Sequence, residues 1–298
     1  MTDVVKLAPP VPIGKVLDYA QWAFAIAAAA AAVLLPLSGG NGGTVAALLL
    51  TIPFAAIHGV RRYGWKLFIV FFVVTFVLSN FFENLSILTG FPFGHYYYTG
   101  EPKLFYVPIA VGLIYFGLGY VSWLVASTIL DRADEDLNLH ARSGRINVVL
   151  LPILAAAVMT AFDVGSDSVA STVAHTWVWK SGGGLFGVPY TNYLGWWLVT
   201  YSFFQVFSLI IALGSGARTV KAGALLPPVI IYLSLGLSSV SYFIGRASSA
   251  EFVKDQAGVS WSLSQLAEAM MTINIFGLVV FAFIACAKLI RGDGTTSL

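Results

Sequence analysis

Hydrophobic residues in this chain come in long runs rather than in strand-like alternation or narrow helical stripes. Runs of about 17 to 25 apolar residues have the length an α-helix needs to cross a bilayer. Eight such runs predict helices at roughly 16–37, 45–61, 65–89, 105–130, 146–165, 192–214, 222–245 and 267–290. The breaks between them are polar or glycine-rich, as connections at a membrane surface should be. They include SGGNGG after the first run, Arg61-Arg62-Tyr63-Gly64 between the second and third, and the charged loop 131–145 after the fourth. The expectation is an all-α, polytopic transmembrane helical bundle of about eight spans, one integral membrane domain over 1–298. A leader occupies 1–15, and a long aromatic, glycine-rich outer loop occupies 166–191. The first run follows a proline-containing leader and is long enough to span, so it reads as retained rather than cleaved.

Composition strengthens this reading. The chain has 298 residues, 58% hydrophobic and only 10% charged, against about 25% charged in soluble domains; mean hydropathy is +0.84. A net charge of +2 with scattered basic residues argues against a nucleic-acid partner. The lone cysteine, Cys286, excludes an internal disulfide framework and a multi-thiolate metal site. With eight spans both termini share one side, which then holds twelve of the sixteen lysines and arginines. The opposite side holds Lys103, Lys180, Arg246 and Lys254. Positive charge favours the cytoplasm, so both termini are expected there.

Three acids then stand out. A carboxylate inside a hydrocarbon-length helix costs about 2.5–3.5 kcal/mol on insertion scales, so it faces a protein interior or a cavity. Glu83 lies about 27 Å along the third helix, near its non-cytoplasmic end. Asp163 ends the fifth helix at a similar height, and Glu268 opens the eighth from the same side. Asn80 and Glu83 are three apart, as are Thr160 and Asp163, which gives each acid a polar neighbour on its own face. Local satisfaction of a buried acid explains that spacing equally well, and the helix dipole alone favours an acid in a first turn, where Glu268 lies. His95, Asp167, His175 and Asn192 fall in the outer loops or helix starts.

Those outer loops are rich in Phe, Tyr, Trp, Gly and Pro. Tyr and Trp collect at membrane interfaces as a matter of course, but Phe93, Tyr96, Tyr97, Tyr98, Trp177 and Trp179 can also wall a site, where aromatic faces attract a cation. Gly182, Gly184 and Gly187 match dinucleotide-binding spacing without the strand and crossover helix that the motif requires. No cofactor is expected. The four histidines lack the clustering of a di-iron site, although an outer two-histidine, carboxylate site stays open. No Gly-x-Ser-x-Gly elbow marks a serine nucleophile.

Three blocks in order, FENLSILTGFPFGHYYYT, MTAFDVGSDS and HTWVWKSGGGLFGVPYTNYLGWW, span roughly residues 80 to 205. They resemble the carotenoid-biosynthesis membrane family that contains the carotenoid 1,2-hydratases, among them bisanhydrobacterioruberin hydratase and γ-carotene hydratase. The resemblance implies cofactor-independent addition of water across the terminal double bond of a linear ψ-end carotenoid. The family's acid before the Thr-Gly-x-Pro-Phe-Gly loop falls on Glu83, and its two aspartates fall on Asp163 and Asp167. Ser168 stands where the family usually has proline.

The residue types suit that chemistry independently. Protonating a trisubstituted alkene gives a tertiary carbocation, which needs one protonated carboxyl as acid and a charged one nearby. Glu83 and Asp163 are candidates for either role, with Asp167 as a third candidate. Asn80, Phe93, His95, Tyr96, Tyr98, Trp177, Trp179, Asn192 and Glu268 are candidates for substrate binding. The expected partners are a lipid-dissolved carotenoid or related isoprenoid, water and membrane lipids. The alternatives are a cyclase or isomerase that forms the same cation and loses a proton, or a non-enzymatic membrane carrier.

Overall fold

The computed structural model describes residues 13–37, 42–214, 219 and 222–294. Most of the leader, positions 38–41 of the first turn, Arg218 and Lys221 lie outside the described residues. The helices are α1 (Ile13–Leu37), α2 (Gly43–Thr89), α3 (Ile109–Ile129), α4 (Arg142–Val164), α5 (Tyr190–Leu213), α6 (Leu226–Ile244), α7 (Leu263–Asn274) and α8 (Val280–Gly294). A π-helical stretch, Ile275–Val279, joins α7 to α8. Counted as continuous rods, seven helices among the described residues are long and apolar enough to cross a membrane. The architecture is an all-α polytopic bundle.

The difference between seven continuous helices and eight expected runs lies in α2. Its 47 residues at 1.5 Å each make about 70 Å, more than twice the hydrocarbon thickness of about 30 Å. Gly64 interrupts it with φ 76° and ψ 162°, a conformation that side chains with a Cβ rarely adopt. A Cβ on Gly59 would lie 2.9 Å from the Phe68 ring. A straight helix holds residues nine apart about 13 Å from each other. The chain therefore doubles back at Gly64, and the runs expected at 45–61 and 65–89 are the two arms of one helical element.

α3 lies deepest, with 72% of its apolar window buried. Its small residues allow close approach: a Cβ on Gly117 would come 2.1 Å from Thr51 Oγ1 on the first arm of α2. Tyr120, one turn further on, meets His58 of the first arm and Phe71 of the second. Both arms thus pack on α3, which fixes the height at which Glu83 stands in the bundle.

The aromatic loops are not irregular. β1 (Tyr96–Tyr98) pairs antiparallel with β4 (Trp177–Trp179), setting Tyr96 opposite Trp179 and Tyr98 opposite Trp177. β2 (Lys103–Leu104) pairs with β3 (Val107–Pro108), and β5 (Phe252–Lys254) with β6 (Ser260–Ser262). Aromatic side chains favour strands, and the β1–β4 ribbon ties the α2–α3 connection to the α4–α5 connection.

Candidate active site

Alternation along β1 builds the first half of the site. Tyr96 and Tyr98 point inward and are buried, while Tyr97 between them is 46% exposed. Both inward hydroxyls donate to Glu83 Oε2, Tyr98 at 3.0 Å and Tyr96 in a shorter contact. Tyr115 of α3 donates to Glu83 Oε1 at 2.8 Å. Glu83 is 3% exposed and lies 19 residues beyond the corner at Gly64. Burial, and next the Glu83 carboxylate, push the Tyr96 and Tyr98 phenols well above their ordinary value, so both remain protonated donors at neutral pH.

The second half comes from the end of α4 and the start of α5. Asp163 and Asp167 are four residues apart and face the same way. Asn192, in the first turn of α5, donates from Nδ2 to Asp163 Oδ2 and to Asp167 Oδ2, both at 2.7 Å. Trp177 Nε1 donates to Asp167 Oδ1 at 2.8 Å. One amide thus bridges two buried carboxyl groups. Asp167 receives a second donor, whereas Asp163 uses only Oδ2 for the amide.

Glu83, Asp163 and Asn192 open onto one cavity of about 340 Å³, within the size range of small-molecule sites. Phe93, Tyr96, Tyr98, Tyr115, Trp177, Trp179 and Trp196 form its aromatic wall. Tyr96 packs on Trp179 at 4.8 Å between ring centroids, and Tyr115 stacks on Trp196 at 4.6 Å. Away from the acids the cavity reaches Pro36 of α1, Leu48 of α2, Leu235 of α6 and Met270 of α7. Among the described residues no lysine or arginine lines it. Two buried acids therefore share an apolar chamber without a basic counter-ion, and a third stands directly behind.

Other candidates lie elsewhere. Asp167 sits behind Asn192 and does not line the cavity. Asn80 packs against Gly112 of α3 and donates to Phe76 O at 2.8 Å, as a helix-packing group. His95 is exposed and lies over Gly90, and Glu268 is exposed on α7; neither lines the cavity. Among the described residues no three His, Cys, Asp or Glu side chains gather as metal ligands. From α7 the structure supplies Asn274 instead, which lines the cavity and donates to Gly165 O at 2.8 Å. π-Helical turns follow both Asp167 and Asn274, a distortion often found at functional sites.

The family described as carotenoid biosynthesis protein matches residues 43–252, well over half of the chain. The chain belongs to the carotenoid biosynthesis protein family. No curated protein and no solved structure matches it. In this carotenoid biosynthesis protein Glu83, Asp163, Asp167, Asn192 and the β1–β4 ribbon all lie inside the matched stretch. Pro36, Met270 and Asn274 lie outside it. The sequence reading missed Tyr115 and Trp196. A tyrosine in an apolar run counts as hydrophobic by periodicity, and only the position of Glu83 across the bundle reveals its hydroxyl as a donor.

Proposed function

We propose that this carotenoid biosynthesis protein is a carotenoid hydratase acting on a linear polyene with a ψ-end group. The observation that carries this reading is the apolar, aromatic-walled chamber that Glu83 and Asp163 both line, with no basic partner among the described residues. Asp163 is the general acid. It presents a carboxyl group to the cavity and is bridged to Asp167, and two neighbouring carboxyl groups in an apolar site do not both carry charge. Asp167, with two N–H donors, is the natural holder of the charge in that pair.

In the forward step the Asp163 O–H bond breaks and its proton joins the CH carbon of the terminal double bond. The π electrons form that C–H bond and leave a tertiary cation on the neighbouring carbon. Glu83, held by three phenol donors, supplies preorganised negative charge to the cation, and the aromatic wall adds its ring faces. Water then forms the C–O bond and gives up a proton to the Asp163 carboxylate. The tertiary alcohol leaves and the acid is restored.

The apolar extension toward α1, α2 and α6 suits the rest of the polyene, which arrives dissolved in the lipid. Twelve basic residues against four support both termini on the cytoplasmic side and the acids toward the opposite face.

Expression in a host that makes a lycopene-type polyene, followed by mass analysis of the pigment, tests the reading. The expected product is heavier than the substrate by one water. A product of unchanged mass points to a cyclase or isomerase working through the same cation. Untouched pigment with folded protein in the membrane leaves a carrier.

A further inference from the structure

Hydration consumes water, yet the chamber is walled largely by aromatic and aliphatic side chains. A second pocket of about 10 Å³ is also lined by Trp179, about the least space that holds one water molecule. Its rim is at the surface, where His175, Lys254 and Gln256 are exposed, and its floor is the buried Thr172 and Trp179. Trp179 lines both this pocket and the chamber. We propose that this outer pocket is the port through which the reacting water reaches the carboxyl groups, with the Trp179 indole as the partition. This rests on the hydration reading above.

Three observations support the port. First, Trp179 is 5% exposed and its indole N–H is directed at Asp167 but falls short of hydrogen-bond geometry with any described residue. A buried donor so loosely held is unusual, and a water passing between pocket and chamber completes the contact. Second, one wall is drawn in tightly where a side chain is missing. Gly187 holds φ 91°, and a Cβ there would come 2.7 Å from Thr172 Oγ1 and 2.9 Å from Asp255 Cβ. Third, the outer wall is fixed. The Asp255 carboxylate accepts from Val259 N at 3.0 Å and from Trp261 Nε1 at 2.9 Å, which pins the β5–β6 hairpin against the pocket. Asp167 stands beside Trp179, and Asn192 bridges it to Asp163.

The test is how the cation partitions, measured in membranes containing the full chain, a ψ-end polyene and deuterated water. Protonation places deuterium on the polyene. The cation then either captures water and becomes alcohol, or loses a proton and returns as labelled alkene. Gln256→Trp, a substitution at an exposed rim position, fills the port. Alcohol relative to labelled alkene is expected to fall by about tenfold, while deuterium continues to enter the polyene. Lys254→Trp, on the same rim, is expected to do the same, and Gln256→Ala to leave the ratio unchanged. A ratio unchanged in both tryptophan variants overturns the port. So does a fall confined to Thr176→Trp, at an exposed residue that lines the main chamber directly. A wild-type chain that labels the alkene but forms no alcohol overturns the hydration reading itself, and the port with it.

Discussion

Two buried polar clusters lie at opposite ends of α3, and they differ in balance rather than in depth. Near the corner of α2, Arg62 is 1% and Asp134 0% exposed. Arg62 Nε and one terminal nitrogen grip both Asp134 oxygens, at 2.8 and 2.7 Å, and Tyr63 and Ser127 donate to the same carboxylate. Glu135 accepts from Arg62 at 3.2 Å, and Trp123 donates to Tyr63 at 3.0 Å. At the other end Glu83 and Asp163, backed by Asp167, carry no basic partner among the described residues and open on a cavity. Burial of charge alone therefore does not single out a site. A cluster built on a buried arginine joins α2, α3 and the α3–α4 connection, whereas the other lacks such a partner and faces empty space. On the proposed reading such an arrangement sacrifices stability for function.

The sharpest way to break this contrast is to neutralise one acid in each cluster. Asp163→Asn is expected to lower hydration by about 10²- to 10⁴-fold, the contribution typical of a general acid. Its melting temperature in detergent is expected to hold or rise, because the substitution removes an unpaired buried acid. A loss of folded protein instead of rate makes Asp163 a structural group. At the other end Asp134→Leu is expected to cost about 3–5 kcal/mol of stability by leaving the buried Arg62 guanidinium with Glu135 as its only ion-pair partner among the described residues. Adding Arg62→Met is expected to recover most of that loss, since a buried ion pair exchanged for apolar side chains is often nearly neutral. The chemistry of the surviving folded protein is expected to be unchanged in product. If the double variant is as unstable as the single one, the cluster does more than balance its own charge.

The sequence made one of these clusters visible and hid the other, for physical reasons. Apolar run length is a one-dimensional property, so the helices could be read directly, and an acid such as Glu83 or Asp163 is conspicuous inside such a run. Arg62 sits beside a turn and reads as a loop charge, because its partner Asp134 is 72 residues away. The β1–β4 ribbon was equally hidden. Interfacial tyrosines and tryptophans already have an ordinary explanation, and pairing across about eighty residues leaves no local mark. The doubling back at Gly64 shows only as a short polar interruption, which a sequence reads as a surface loop between two separate spans.

Tyr115→Phe probes the contrast more finely. It removes one of three donors to Glu83 while keeping the ring that stacks on Trp196. A hydrogen bond to a charged group is worth about 1.5–3 kcal/mol, so a loss of roughly ten- to hundredfold in rate is expected if Glu83 supplies charge to the cation. Substrate binding, measured by retention of the polyene on the purified protein, is expected to change little. A variant that binds less polyene but turns it over normally reassigns Tyr115 to the cavity wall.

The smallest effects are expected where sequence depth and structure disagree. Glu268 shares the height of Glu83 and Asp163 along the chain, but height on a helix does not fix the direction a side chain faces. α7 turns Met270 and Asn274 toward the chamber and leaves Glu268 exposed. Glu268→Gln is therefore expected to alter both rate and stability by less than about 0.5 kcal/mol, as for surface substitutions generally, and His95→Gln is expected to behave alike. Product formation in membranes and melting in detergent are the two measurements. A large fall in rate for Glu268→Gln with melting unchanged means that a third acid acts on the polyene, and that an acid need not line the chamber to take part. An unchanged rate, beside the loss expected for Asp163→Asn, ties reactivity to the juxtaposition of unbalanced acids and cavity rather than to the presence of acids at one level of the membrane.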